Sequence, residues 1–363
     1  MKILVIGYMH PKNDKRVFRT VRALSERCEV IYQYWTDKDE KEYVDGNVRY
    51  MPVKYTKNTK GNYIVEYMRR IKFDRLILDM IENFEYDVVY FHHFLASLPV
   101  KAFEVAKRRG KMIVYDVHEY HPENFLNALK GVLKYLKEKV VLNIFKKQLT
   151  LSDKVIFVSK EMQEDVYKRL SIDKPYLVFP NYADDVFFSE KREKEICIVG
   201  KVSRGMEHEK GILKKLIEHG FRVKLIGMDL GVLSDIPHEY KAFMPYEEMM
   251  KELSKCTFSL ISYNTIGYEN YKNDIFALPN KYYDSLAAGV PVIVKNTFVS
   301  MVKEVEKYGI GVVIDPKDVN GSVKKILDAY ENYQALINNV KKYQHMFVFD
   351  EAKKDELLSF ILS

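Results

Sequence analysis

Cysteine is scarce in this chain: Cys28, Cys197 and Cys256 stand singly in 363 residues, with no CxxC pair. That spacing excludes a disulfide framework and a thiolate zinc site, and it makes the cytoplasm the expected compartment. Long apolar runs are missing as well. None approaches the ~20 residues needed to cross a bilayer. The opening MKILVIGY lacks the longer apolar core and small-residue cleavage site of a secretory signal, so it reads as a first β-strand. No tandem repeat or low-complexity tract is present, which removes solenoids and disordered linkers. Glycine is sparse where a dinucleotide would need it. The loop GYMHPKNDKR (7–16) holds one glycine and cannot form GxGxxG, so neither a nicotinamide nor a flavin cofactor is expected.

What is present is the make-up of a globular chain long enough for two domains, 47% apolar and 30% charged. The net charge of +7 is uneven: through Pro180 there are 33 basic against 24 acidic residues, and beyond it 25 against 27. A basic half suits an anionic partner, either a phosphate-bearing acceptor or an acidic membrane surface. A Lys- and Glu-rich composition with only five glutamines accounts for the same numbers without a partner.

Short β-branched runs alternate with longer amphipathic stretches, the pattern of βαβ units and parallel sheets. Strands are predicted at 2–6, 29–34, 48–52, 88–91, 112–116, 154–158 and 176–179. Helices are predicted at 15–27, 63–83, 98–109, 128–149 and 160–170. The second half repeats the alternation, with strands at 195–199, 222–226, 258–261, 290–294 and 312–314 and helices at 210–219, 245–254, 280–288, 298–307 and 319–343. The expected fold class is α/β, two Rossmann-like doubly wound domains with parallel sheets facing an interdomain cleft. The domains are read as 1–180 and 181–345, divided at a polar, turn-rich stretch. A C-terminal helix in 346–363 follows, its return to the first domain being one reading.

A doubly wound sheet binds its ligand beyond the carboxyl ends of its strands, so the loops there hold the candidates. The first offers His10, Lys12, Asp14 and Arg16 just before a helix, suited to an anionic or hydroxyl-rich ligand or, more plainly, a polar loop capped by Asp14. VYDVHEYHPE (114–123) ends a strand in Asp116, His118, Glu119 and His121, and VVYFHH places His92 and His93 on a neighbouring strand. These histidines come as an adjacent pair and a pair three apart, without the i,i+4 spacing of a zinc-protease helix. Hydrogen bonding is therefore expected and no metal ion. In IVGKVSRGMEHEKG (198–211) a strand, Gly200 and the cations Lys201, Arg204 and Lys210 precede a helix, which is how amides and a cation reach a diphosphate. In NDIFALPNKYYDSLAAGVPVIV (273–294), Pro279 at a helix start leaves amides open around Asn280 and Lys281, an anion seat. Asp284 lies one turn on, placed for a ribose diol. A plain αβ unit with an N-terminal proline is the alternative.

These segments together resemble the GT-B glycosyltransferases, in particular the retaining glycosyltransferase family 4. The similarity runs through NDKRVFRTVRALS, YDVVYFHH, GKMIVYDVHEYHPE, VSKEM, FPNYAD, VGKVSRG, YEEMMKELSKCTFSLI and LPNKYYDSLAAGVPVI, and the last is the most specific. The resemblance implies a nucleotide-diphosphate-sugar donor held by the second domain, with Gly200, Lys201, Leu278, Pro279, Asn280, Lys281 and Asp284 as binding residues. Arg204 and Lys210 would neutralise the diphosphate, and His118 would approach the donor sugar. The acceptor, a glycan or lipid-linked molecule, would meet His10, Asp14, Arg16, His92, His93 and Glu119. No cofactor, metal or nucleic acid is implied. Many members carry two Glu separated by seven residues; here Asp284 holds the second place and Phe276 the first.

The expected reaction is glycosyl transfer with retention, by front-side attack, in surface polysaccharide or lipopolysaccharide synthesis. The rival enzyme is a nucleotide-sugar epimerase of the same fold, with His118 and Glu119 as its acid and base. A catalytically silent scaffold, suggested by Phe276, is the third reading. The stretch 124–149 is apolar at helical spacing with interleaved lysines. It reads as helix packed on the first domain or as a peripheral contact with an anionic membrane.

Overall fold

A computed structural model describes residues 1–56, 63–94, 96–121, 131–202, 206–262 and 271–363. The chain forms two compact units. Met1–Phe179 with Glu351–Ser363 makes the first, and Pro180–Asp350 the second.

The first unit runs β1 (Lys2–Pro11), α1 (Lys15–Ser25), β2 (Glu29–Thr36), β3 (Tyr43–Asp45), β4 (Val48–Lys54), α2 (Tyr63–Asn83), β5 (Val88–His92), α3 (Lys101–Arg108), β6 (Met112–Val117), α4 (Gly131–Leu151), β7 (Lys154–Phe157), α5 (Lys160–Leu170) and β8 (Tyr176–Val178). Its sheet has the order β3-β4-β2-β1-β5-β6-β7-β8. All pairs are parallel except β3 with β4. The central strand β1 supplies Ile3, Leu4, Val5 and Ile6, all fully buried, the continuous apolar run of a strand covered on both faces. α3 packs between α2 and α4, while α1 packs on β1 and β2, the arrangement that crossovers of the usual right hand produce. Asp14 caps α1 by accepting from the Val17 amide at 3.1 Å, and Ser159 caps α5 through the Met162 amide at 3.3 Å.

The second unit runs β9 (Glu193–Val202), α6 (Glu207–Glu218), β10 (Arg222–Asp229), β11 (Glu239–Ala242), α7 (Tyr246–Ser254), β12 (Cys256–Ile261), α8 (Lys272–Ile275), α9 (Asn280–Ala287), β13 (Val292–Lys295), α10 (Val299–Tyr308), β14 (Gly311–Ile314), α11 (Val319–Glu331) and α12 (Tyr333–Tyr343). Its sheet, β11-β10-β9-β12-β13-β14, is parallel throughout. The last helix, α13 (Glu351–Leu362), belongs to the first unit. There Asp355 pairs with Arg27 and Lys354 with Glu26, and Lys154 Nζ donates to the Phe360 carbonyl at 2.7 Å.

Several elements differ from their sequence-based expectation. Strands β3 and β11 were not predicted; β3 is exposed at every residue and so carries no apolar alternation. β1 continues past Ile6 to Pro11 through a register shift against β2. The single helix predicted over 319–343 is two, divided at Asn332. Tyr333 is anchored there by its hydroxyl on the Thr257 carbonyl at 2.8 Å and by its ring against Phe258.

Candidate active site

In the first unit the carboxyl ends of β1, β5 and β6 gather a histidine cluster. Tyr8, just past the fully buried run of β1, has φ 54°, and His93, just past β5, has φ 39°. Both conformations are unfavourable for residues with a Cβ and persist only where the surroundings enforce them. For Tyr8 the enforcement is visible. Its amide donates to Gln33 Oε1 at 2.8 Å, its carbonyl accepts from Gln33 Nε2 at 3.1 Å, and its hydroxyl donates to Asp74 at 2.9 Å.

The irregular end of β1 brings His10 over the neighbouring strands, its ring 5.0 Å from that of His118. His92 Nδ1 and His118 Nε2 lie 3.0 Å apart, one donating to the other. Each also stands 3.4 Å from Asp116 Oδ2. His93 stacks on His121 at 5.2 Å and faces the Glu119 carboxylate at 3.6 Å. Burial depresses the pKa of His92 and His93, and of His118 and His121 strongly, so these imidazoles are neutral near pH 7. Beneath them Asp116 is gripped by Arg16, Nε to Oδ2 at 2.9 Å and Nη2 to Oδ1 at 2.8 Å, and accepts from the Tyr90 hydroxyl at 3.0 Å. Burial alone would raise the Asp116 pKa, but the Arg16 charge, followed by His118, holds it well below the carboxylate range.

His10, His92, His93, His118 and Glu119 thus come together at one edge of the sheet. Arg16 lies below them, 6% exposed, with its remaining nitrogen on the Phe179 carbonyl at 2.6 Å. Asp14 is turned to its cap. The sequence reading did not give Asp116 a role, although its place at the end of a buried strand was the available signal. Among the described residues, His92, Asp116 and His118 could offer three ligand atoms to a metal ion. The Asp116 oxygens, however, already carry a guanidinium and a phenol. Hydrogen bonding to a hydroxyl-rich ligand is the chemistry this group offers.

In the second unit, Gly200 and Gly227 meet across β9 and β10 near their carboxyl ends. A Cβ on Gly227 would fall 2.4 Å from the Gly200 carbonyl oxygen, and Gly200 itself has φ 99°. Only glycine fits this approach. Lys201 is exposed beside it. Lys210, on the first turn of α6, pairs with Asp235 at 2.8 Å, and Lys214 shares the same carboxylate. These hydrogen bonds lower the Asp235 pKa to about 2. Arg204 lies outside the described residues. Next to Lys210, Glu209 is buried against Lys295 and accepts from Ser262 Oγ at 2.6 Å.

α9 begins directly after Pro279. Pro279 precedes the helix without a side-chain cap of its own, and Asn280 and Lys281 form its first residues. Asn181 fixes the Leu278 carbonyl at 3.0 Å, and Lys281 Nζ donates to the Ser262 carbonyl at 2.8 Å. One turn on, Asp284 accepts from the Tyr246 hydroxyl at 2.8 Å. Phe276 ends the short α8, and two residues earlier Asp274 is 5% exposed. Tyr246, Ser262, Glu209 and Lys295 escaped the sequence reading because only the tertiary fold brings them to these loops. No helix among the described residues is long and apolar enough to cross a membrane.

Two family models match the chain, Glycosyltransferase Family 4 over residues 15–186 and Glucosyltransferase 3-like, C-terminal domain over residues 205–348. No curated protein matches it in sequence. Among solved structures, sucrose-phosphate synthase from Thermosynechococcus elongatus superposes with a TM-score of 0.70 at 12% identity, covering 99% of this chain and 97% of that one. The trehalose-6-phosphate structure from E. coli bound with UDP-2-fluoro glucose gives 0.65 at 12% identity, covering 99% and 97%. Anabaena Alr3699/HepE in complex with UDP gives 0.59 at 11% identity, covering 100% and 99%. At such identities these likenesses establish the two-domain α/β fold and nothing finer. With two parallel sheets in that fold and both halves matched by glycosyltransferase models, the chain belongs to the family 4 glycosyltransferases, enzymes of GT-B fold.

Proposed function

We propose that the protein transfers a hexose from UDP to a hydroxyl of a glycan or lipid-linked acceptor, with retention, in surface polysaccharide or lipopolysaccharide synthesis on the cytoplasmic side. The observation that carries this reading is the start of α9 directly after Pro279, with Lys281 anchored on the Ser262 carbonyl and Asp284 one turn on. The helix-end amides take the diphosphate and Asp284 takes the ribose. Gly200 lets the backbone close on the phosphates, while Lys201, Arg204 and Lys210 carry the balancing charge. Uracil is favoured because UDP or a UDP-sugar occupies two structures of the same fold.

The histidine cluster of the first unit is assigned to the sugars. His118, neutral and held by His92 and Asp116, meets the donor sugar; His10, His92, His93 and Glu119 serve the acceptor, over a floor set by Arg16 and by the Asp14-capped helix. The acceptor oxygen bonds to the anomeric carbon on the face that the diphosphate leaves. The carbon–oxygen bond to phosphate breaks, and the acceptor proton passes to the leaving phosphate oxygen. Charge builds on that diphosphate, so the cations and helix amides supply the main stabilisation of the transition state. No metal ion is required.

Melting temperature measured with UDP, GDP, ADP, TDP and CMP, with and without Mg²⁺, tests the donor. UDP at a hundred times its Kd adds about 2.7 kcal/mol of stability, and the shift is expected without Mg²⁺. Stabilisation by none of the five rejects the reading.

A further inference from the structure

Among the described residues of the second unit, two lysine–glutamate pairs have both members buried, one at each end of the sheet. At the amino end Lys224 on β10 meets Glu195 on β9 at 2.6 Å. That pair is the centre of a charged network that reaches the surface. Arg222 lies 2.8 Å from Glu195, and Glu239 and Glu252 stand 3.7 and 3.9 Å from Lys224.

At the carboxyl end the arrangement differs. Lys295, the last residue of β13, and Glu209, in the first turn of α6, are 2% and 1% exposed, and Lys295 Nζ contacts Glu209 Oε1. The same oxygen accepts from Ser262 Oγ at 2.6 Å. Glu209 Oε2 is buried and makes no hydrogen bond among the described residues. Attraction within a buried pair does little more than offset the lost hydration, and an unmet oxygen adds to that loss. Apolar side chains of similar size would hold α6 on the sheet as well. Stability alone does not account for this pair.

What it joins does. Glu209 is followed directly by Lys210 on the same turn of α6. Ser262, just beyond β12, turns its hydroxyl to Glu209 and its carbonyl to Lys281 Nζ, 2.8 Å away. The Lys281 carbonyl accepts from Ser285 Oγ at 2.6 Å, and that hydroxyl lies 2.7 Å from Ser259 Oγ on β12. One carboxylate therefore links the start of α6, which carries Lys210, to the start of α9, whose first amides are assigned to the diphosphate.

We propose that Glu209 and Lys295 are positioning residues of the donor site. Their ion pair holds the turn bearing Lys210 at a fixed distance from the start of α9, so that both meet the same diphosphate. Lys295 is too deeply buried to touch the donor and acts only through Glu209. Two sides of a site already held at the bound spacing lose less freedom when the ligand arrives. The inference rests on the donor reading above and adds to it the residues that hold the site in shape.

Calorimetry with UDP tests it, with the melting temperature of each ligand-free variant measured alongside. Glu209→Leu with Lys295→Met removes the charges but keeps the volume, so melting near the parental temperature is expected. UDP binding should nevertheless weaken severalfold. Glu195→Leu with Lys224→Met makes the same exchange at the amino end and should leave UDP affinity at the parental value. Lys210→Ala should cost less affinity in the Glu209–Lys295 double variant than in the parent, because the lysine is already out of place. Ser262→Ala cuts the link to α9 without stranding a charge, and it too should weaken UDP binding. Parental affinity in the Glu209–Lys295 double variant overturns the inference and leaves the donor reading standing. Parental affinity in Ser262→Ala does the same, and decides the matter should the double variant fail to fold. Equal weakening at the amino-end pair also overturns it, since affinity would then follow the sheet as a whole. No UDP binding by the parent chain fails the donor reading and the inference together.

Discussion

Arg16 and Asp116, separated by 100 residues, form a two-point ion pair in which the guanidinium is 6% exposed and the carboxylate 1%. It ties α1 to the end of β6 directly under His92 and His118. Removing one member strands the other charge away from water. Arg16→Ala is expected to cost about 3–5 kcal/mol in urea unfolding, and Arg16→Lys keeps the charge but loses the fork. Arg16→Ala combined with Asp116→Leu should cost less than the two single changes added together. The Asp116 pKa is depressed, so its contribution is present above the unfolded carboxyl value and fades as pH falls through the lower folded one. A single-variant loss below about 1 kcal/mol would show that water reaches the pair.

The histidines make the first unit acid-sensitive. His92, His93, His118 and His121 all have depressed pKa values because burial penalises the imidazolium. Below the unfolded value of about 6.5 the unfolded chain binds protons that the folded chain refuses, so stability falls with pH. The slope is about 1.4 kcal/mol per pH unit for each histidine. His121→Phe, at a site packed against Phe145, should flatten the slope by one such increment. An unchanged slope, in urea midpoints taken from pH 7 down to about pH 5, would exclude His121 from the transition.

Lys210 can serve a diphosphate only by leaving Asp235, which is 45% exposed. Asp235→Asn therefore should strengthen UDP binding by a few-fold in calorimetry, and Lys210→Ala should weaken it. Lys210→Ala is also expected to lower kcat/KM, and kcat with it, because the charge on the departing diphosphate grows in the transition state. Weaker binding in Asp235→Asn would mean that the carboxylate positions the lysine rather than competing for it.

Gly227→Ala sets a Cβ against the Gly200 carbonyl at a backbone angle, φ 137°, that side chains rarely adopt. A loss of at least about 2 kcal/mol is expected in thermal unfolding, with UDP affinity falling as Gly200 shifts. A variant of parental stability would show that β9 and β10 separate easily at that end.

The sequence disclosed the alternation of elements and the apolar strands because the parallel sheets leave little of either strand face exposed. The start of α9 was legible from Pro279 alone, since proline at the first turn needs no tertiary context. Other features left no such trace. β3 contributes three exposed residues to an edge, and Asn332 breaks a helix because Tyr333 finds a partner on another strand. Arg16 looked like a ligand-facing cation; its partner lay on a distant strand, and pairing across the sheet is written in topology rather than in spacing.

The return of α13 to the first unit has a consequence for synthesis. Residues 1–179 leave the ribosome before any of the second unit, yet the helix that meets Arg27, Glu26 and Lys154 is translated after all of it. At ordinary elongation rates the gap is roughly ten to thirty seconds. During it the nascent first unit has α1 uncovered on one flank. Of the two units, the one begun first is therefore completed second, and it is the one whose waiting surface chaperones would meet.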